Sequence, residues 1–135
     1  MYKFSKRSIT SLLTCEEALQ KLAKTALETS PKDFTIICGY RSKADQDAAV
    51  ARGDSQLKFP TSKHNKFPSQ AFDFCPYPLD WKDIDSFKEI GEHILDTWDG
   101  MEESSEWDIE WGGNWRKFKD YPHIQITRRN NGPAS

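Results

Sequence analysis

Residues 70–75 read QAFDFC, and the alternation in this short stretch decides how the chain folds. As a strand it sends Phe72 and Phe74 to one face and Ala71, Asp73 and Cys75 to the other. The two rings anchor it to a core. Asp73 is then fixed on a face with no other charge, where a carboxylate needs a cation or strong donors to offset its desolvation. Residues 123–127, HIQIT, repeat the pattern, with Ile124 and Ile126 toward the core and His123 and Gln125 facing the opposite way. Two strands therefore each present one metal-competent side chain.

Working outward, Ala18, Leu19, Leu22, Ala23 and Leu27 recur at helical spacing, and Thr14 followed by Glu17 has the spacing of a capping box. A helix is expected from Cys15 to Glu28, ended by Pro31. Asp33 to Cys38, DFTIIC, reads as a buried strand that stops at Gly39. Ser42 is placed to cap a second helix running to Arg52. From Gly53 to Ser69 the chain is polar and carries two prolines, as an exposed loop does. Phe87, Ile90, Ile94 and Trp98 mark a third helix with one apolar face. Trp107 to Trp111, WDIEW, alternates as a strand, and Gly112 and Gly113 lie in the loop that follows. Helices and strands that do not alternate regularly predict an α+β domain with a small, mainly antiparallel sheet flanked by helices.

The chain has 135 residues, the size of one domain, and no linker or repeat divides 1–135; residues 128–135 read as a flexible tail. Five Trp and eight Phe supply enough bulk for a core without disulfides, and Cys15, Cys38 and Cys75 form an odd set with no CxxC spacing. Reduced thiols, and hence synthesis in a cytoplasm, are expected. A formal charge of −2 offers no broad positive field for nucleic acid. The N-terminal residues have no apolar run long enough for a signal peptide or membrane span, so neither export by that route nor membrane insertion is expected.

His64, in the polar loop, adds a third metal-competent group. Two neutral imidazoles and one carboxylate are a ligand set of catalytic zinc, leaving a fourth position for water. A metal in such a site lowers the pKa of water from 15.7 to about 7, but a base must still take the proton. Asp120, three residues before His123, is the nearer candidate base, and Glu110 is its rival. Considered alone, each of these residues has a plainer reading. His93 sits at the edge of a helix face and is read as a packing residue, Arg41 could pair with Asp45 four residues on, and Trp111 and Trp115 could be core. The seven acids from Asp96 to Glu110 read as a solvated face. The HExxH helix of many metallopeptidases is absent.

Taken together, the motifs carry more. SKHNKFPSQAFDFCPYP, Ser62 to Pro78, resembles the first zinc motif of the peptidase family that comprises D-Ala-D-Ala carboxypeptidases, vancomycin-resistance dipeptidases and the L-alanyl-D-glutamate endopeptidases used by phages as endolysins. GYRS (Gly39 to Ser42), WGGNW (Trp111 to Trp115) and DYPH (Asp120 to His123) are similar to the same family in the same order. The resemblance implies a fold like that of the D,D-peptidases and the hedgehog signalling domain, one zinc ion held by His64, Asp73 and His123, and Asp120 as general base. It implies further that Arg41 holds a substrate carboxylate or the developing oxyanion, and that Ser62 and Gln46 contact substrate. The motif departs from the commonest form at two points: position 67 is Phe rather than Gly, and Asp73 follows His64 by nine residues rather than seven. This matches a longer connecting loop.

The activity so implied is zinc-dependent hydrolysis of the L-Ala to D-Glu bond in peptidoglycan stem peptides, by a monomer. D-Ala-D-Ala carboxypeptidase action is the alternative within the class, and a non-catalytic zinc module that binds the wall is the alternative outside it. Lacking an export signal, an endolysin of this kind is expected to collect in the host cytoplasm until a separate pore-forming protein releases it.

Overall fold

Each predicted strand finds an antiparallel partner in the computed structural model, which describes residues 2–129. The strands are β1 (Phe34–Cys38), β2 (Ala71–Pro76), β3 (Trp107–Trp111) and β4 (His123–Arg128), and they form one sheet in the order β1-β2-β4-β3. All three pairings are antiparallel. The helices are α1 (Lys6–Leu12), α2 (Glu17–Thr29), α3 (Lys43–Arg52) and α4 (Ile84–Asp99). The α+β architecture expected from the sequence is the one observed.

Alternation decides which side of the sheet is which. Phe34, Ile36, Phe72, Phe74, Ile124 and Ile126 share one core with Leu19, Leu22 and Ala26 of α2 and with Phe87, Ile90 and Ile94 of α4. Burying each large side chain of this set stabilises the fold by roughly 1.5–3 kcal/mol. The opposite side carries Asp73 and His123, with Asp73 directly across from His123 in the β2–β4 register. Cys38 lies across from Asp73 on β1, past an irregularity at Ile36/Cys38.

Helix α1 was not expected from the residue pattern. It is a helix of 7 residues, about two turns, whose buried residues are Ser8 and Leu12, too few for a periodic signal. Its role is to close the edge of β1: the Ser8 hydroxyl accepts from the amide of Ile36 (3.0 Å) and bonds the Thr35 hydroxyl (2.7 Å). A buried strand edge is thereby satisfied.

The capping box at the start of α2 does not form. That helix begins at Glu17 with no side-chain cap, because Thr14 is used elsewhere: its hydroxyl donates to Ser11 O (2.6 Å) and accepts from the amide of Tyr40 (2.8 Å). Ser42 does cap α3, accepting from the Asp45 amide at 3.2 Å, and Gly53 ends it with φ 82°, a conformation that favours glycine. Two residues of the expected tail are ordered into the fold. Arg128 is in β4 and the Arg129 amide bonds Glu106 O at 2.9 Å, while residues 130–135 lie outside the described residues.

Candidate metal centre

Three different local devices bring the metal-competent groups together. Asp73 and His123 are set by strand register. His64 stands in a short 3-10 turn, Lys63–Asn65, closed by a reciprocal cap in which the Ser62 hydroxyl accepts from the His64 amide (3.2 Å) and Asn65 Oδ1 accepts from the Ser62 amide (3.1 Å). The Arg41 amide donates to His64 O at 2.8 Å and locks that turn beside the end of β1.

The result is a convergent set. His64 Nε2 lies 3.1 Å from Asp73 Oδ1, and His123 Nδ1 lies 3.3 Å from the same oxygen. Among the described residues, His64, Asp73 and His123 are the group whose ligand atoms all fall within 4.8 Å of one another. Tetrahedral zinc with bonds near 2.0–2.1 Å spaces its ligand atoms about 3.3 Å apart, so these residues fit a zinc ion.

Both imidazoles are oriented from behind. His64 Nδ1 donates to Gly39 O (2.7 Å), which leaves Nε2 for a metal. His123 Nε2 donates to Gln125 Oε1 (2.8 Å), leaving Nδ1, and Gln125 Nε2 reaches Glu110 Oε2 (3.4 Å). Such outer partners fix tautomer and ring direction. Glu110, the rival base, is therefore an outer member of this chain and also accepts from Trp115 Nε1 at 2.9 Å.

The side chains of the site balance one another's charge. Burial opposes a charge on His64, but the Asp73 carboxylate and its hydrogen bond outweigh that and raise the imidazole to about 10. Burial likewise works against the Asp73 carboxylate, and the two histidines overcome it and hold the group far below the usual range. A proton on His64 thus occupies the electrostatic role that a cation would take.

Asp120 is brought in by the turn into β4, where the His123 amide donates to Asp120 O (3.1 Å). Its Oδ2 lies 4.0 Å from His123 Nδ1, the ring nitrogen that faces the site. Burial, then the nearby Asp73 charge, raise its pKa, with His123, His64 and Arg41 pulling the other way. Gly112 makes this placement possible. The Asp120 amide donates to Gly112 O (3.0 Å), and a Cβ at position 112 would collide with the backbone oxygen of Asp120. Gly113 instead lies against the ring of Trp111.

Arg41 pairs with the site rather than with Asp45. Its Nη2 donates to Asp73 Oδ2 (3.3 Å) and its Nη1 to Gln46 Oε1 (3.1 Å). Gln46 is fully buried, and its remaining bonds go to Asn65, Ser55 and Leu57 O. Every donor and acceptor of the Gln46 amide is thus used within the chain, one of them on Arg41. The Ser62 hydroxyl lines the cleft but spends its acceptor on the His64 turn.

His93 lies apart, linking α4 to α2 through Thr29 Oγ1 (3.1 Å) and Ala26 O (3.0 Å). The acidic stretch is partly neutralised by Lys21, Arg128 and Arg129, which pair with Glu103, Glu106 and Asp108. Cys75 is buried in the core, whereas Cys38 Sγ lies 3.9 Å from His64 Nδ1. Only the strand register puts Cys38 beside Asp73. Gln125, by contrast, was visible as the next residue on the His123 face.

The centre opens into a cleft of about 980 Å³. Trp111 is core, but Trp115 lines the cleft with its ring 5.3 Å from that of His123.

Comparison with known proteins agrees with this geometry. Residues 1–133 match the family described as phage L-alanyl-D-glutamate peptidase. The chain is 37% identical to the L-alanyl-D-glutamate peptidase of Escherichia phage T5 over 94% of its own length and 90% of that protein. It is 29% identical to the peptidoglycan L-alanyl-D-glutamate endopeptidase CwlK of Bacillus subtilis, across 76% of this chain and 66% of the relative. The crystal structure of the Serratia marcescens L-Ala D-Glu endopeptidase ChiX superposes with a TM-score of 0.75 at 29% identity, covering 93% of this chain and 90% of that one. On this evidence the chain belongs to the phage L-alanyl-D-glutamate peptidase family and has the fold of the endopeptidase ChiX.

Proposed function

We propose that the chain cuts the L-alanyl to D-glutamate bond of peptidoglycan stem peptides using a zinc ion held by His64, Asp73 and His123. The observation that carries this reading is the convergence of those three ligand atoms at the floor of an open cleft, with Asp120 on its margin. When bound, a zinc ion would supply Lewis acidity toward a water molecule and the scissile carbonyl.

The protein's own groups do the rest. Asp120 takes the proton from the attacking water and returns it to the leaving amine; its raised pKa brings it closer to the operating pH than an ordinary carboxylate. Arg41, its head fixed by Gln46 and Asp73, holds a fixed positive charge at the cleft for a substrate carboxylate or the oxygen that gains charge. Gly39 O and Gln125 keep the two imidazoles aimed.

The test is fragment analysis of purified peptidoglycan digested with the protein, with and without chelator. New amino termini on D-Glu that vanish with chelator and return with zinc support the reading. Release of terminal D-Ala instead would reassign the chain to carboxypeptidase action, and no new amino groups with zinc present would refute hydrolysis.

A further inference from the structure

The segment after β2 leaves a large aromatic surface in water. Trp81 is 54% exposed, and Tyr77 and Leu79 beside it are 58% and 54% exposed. Trp81 is nonetheless held: its ring stacks on Phe87 at 5.9 Å and 27°, and Phe87 is a core residue of α4. The turn itself is tied down, with the Tyr77 amide on Asp33 O (2.9 Å) and the Lys82 amide on Asp80 Oδ1 (3.0 Å). A rigid indole with one face backed and the other free is a platform, and apolar surface of this size in water marks a contact site.

Trp81 lines the same cleft as the metal-competent cluster. Phe87 in turn lies 6.5 Å from Tyr121, the neighbour of Asp120, so two ring-to-ring steps connect the platform to the base. The two sides of the cleft differ in chemistry. α3 and the segments flanking it bring charged groups, with Arg41 on Asp73, Arg52 on Asp54, and Asp45 also in the lining. The segments around Trp81 and Trp115 offer rings, with Lys117 beside them.

We infer that Trp81 is the stacking platform for the amino sugar from which the stem peptide hangs; this rests on the hydrolysis proposed above. On the amino side of the scissile bond there is one alanyl residue and then the lactyl ether to the sugar. Two such units span about 7 Å when extended, at about 3.3–3.6 Å each. A sugar must therefore lie within a short reach of the metal whenever an intact wall stem is bound. Its carboxyl is consumed in the amide to alanine, so it is neutral, and the C–H face of its ring is the surface an indole accepts.

The experiment compares kcat/KM for a glycan-linked stem with that for the free stem peptide of the same sequence, both with zinc. Wild-type protein prefers the linked substrate. Trp81→Ala lowers the linked-to-free ratio about tenfold, chiefly through KM, and Trp81→Phe keeps most of it; an unchanged ratio overturns the inference. A second measurement needs no variant. Peptide-free glycan strands added to the wild-type protein shift the indole N–H resonance of Trp81 in an amide correlation spectrum, and absence of that shift also overturns it. If wild-type protein cuts neither substrate, the hydrolytic reading fails instead, while the indole resonance still reports on the sugar.

Discussion

The two faces of one sheet follow different rules, although the same residues of β2 and β4 build both. On the helix-covered face Phe72, Phe74, Ile124 and Ile126 are wholly buried and hold their places by packing alone. On the open face Asp73 and His123 hold theirs by directed bonds: Asp73 to both imidazoles and Arg41, His123 through Gln125 toward Glu110. Packing is non-directional and tolerates small adjustments, whereas a ligand set works only at fixed distances. The comparison teaches that the core face makes the protein fold and the bonded face sets groups able to hold a cation at fixed distances.

That division is easiest to break at its strongest points. His123→Ala is expected to remove zinc uptake and to drop hydrolysis to background, while the circular dichroism spectrum of the folded chain persists. Phe74→Ala is its counterpart, costing about 3–5 kcal/mol in denaturant unfolding. If His123→Ala unfolds the chain as Phe74→Ala destabilises it, the two faces are not separable.

Asp120→Ala should lower kcat by roughly 10²–10⁴ with zinc stoichiometry intact, measured by single-turnover kinetics and metal analysis. Loss of metal in that variant would move Asp120 from base to ligand. Gln125→Ala should weaken zinc affinity about 10–100-fold without abolishing it, as expected for a group that aims a ligand from behind; an unchanged affinity would leave His123 oriented by packing alone.

The smallest effect concerns the proton on His64. In the metal-free protein this imidazole is raised from 6.5 to about 10, so its contribution to stability is complete below 6.5 and is lost as the pH climbs through about 10. Asp73 is lowered from 3.8, so its share is present above 3.8 and is lost only as the pH falls through its depressed folded value. The ion pair therefore stabilises the metal-free fold most between these limits, and its melting temperature should decline from pH 6.5 toward 10. Zinc must displace the proton, and calorimetry at pH 7.5 in buffers of different ionisation enthalpy should detect about one proton released per ion. No release would mean that His64 is neutral before metal arrives.

Much of this was legible in the sequence because period-two alternation is a local property. QAFDFC and HIQIT are enough to put Asp73 and His123 on the non-core face, and Ser42 and Gly53 bracket α3 through contacts a few residues apart. Thr14 misled for the opposite reason: its spacing to Glu17 is local, but its hydroxyl was claimed by Tyr40 across the chain. For Gln46 only the fold reveals that all of its hydrogen-bonding capacity is spent inside.

By itself, then, the amino-acid order determined the strands, the main helices, the faces and the residue types able to hold a metal. Tertiary structure decided the rest: that Asp73 sits across from His123, that Cys38 rather than Cys75 adjoins the site, that Gly112 admits Asp120, and that Trp81 stays in water. The physical reason is range. Side-chain direction follows from the dihedral angles of a few neighbouring residues, but a distance between groups fifty residues apart exists only after the whole core has closed.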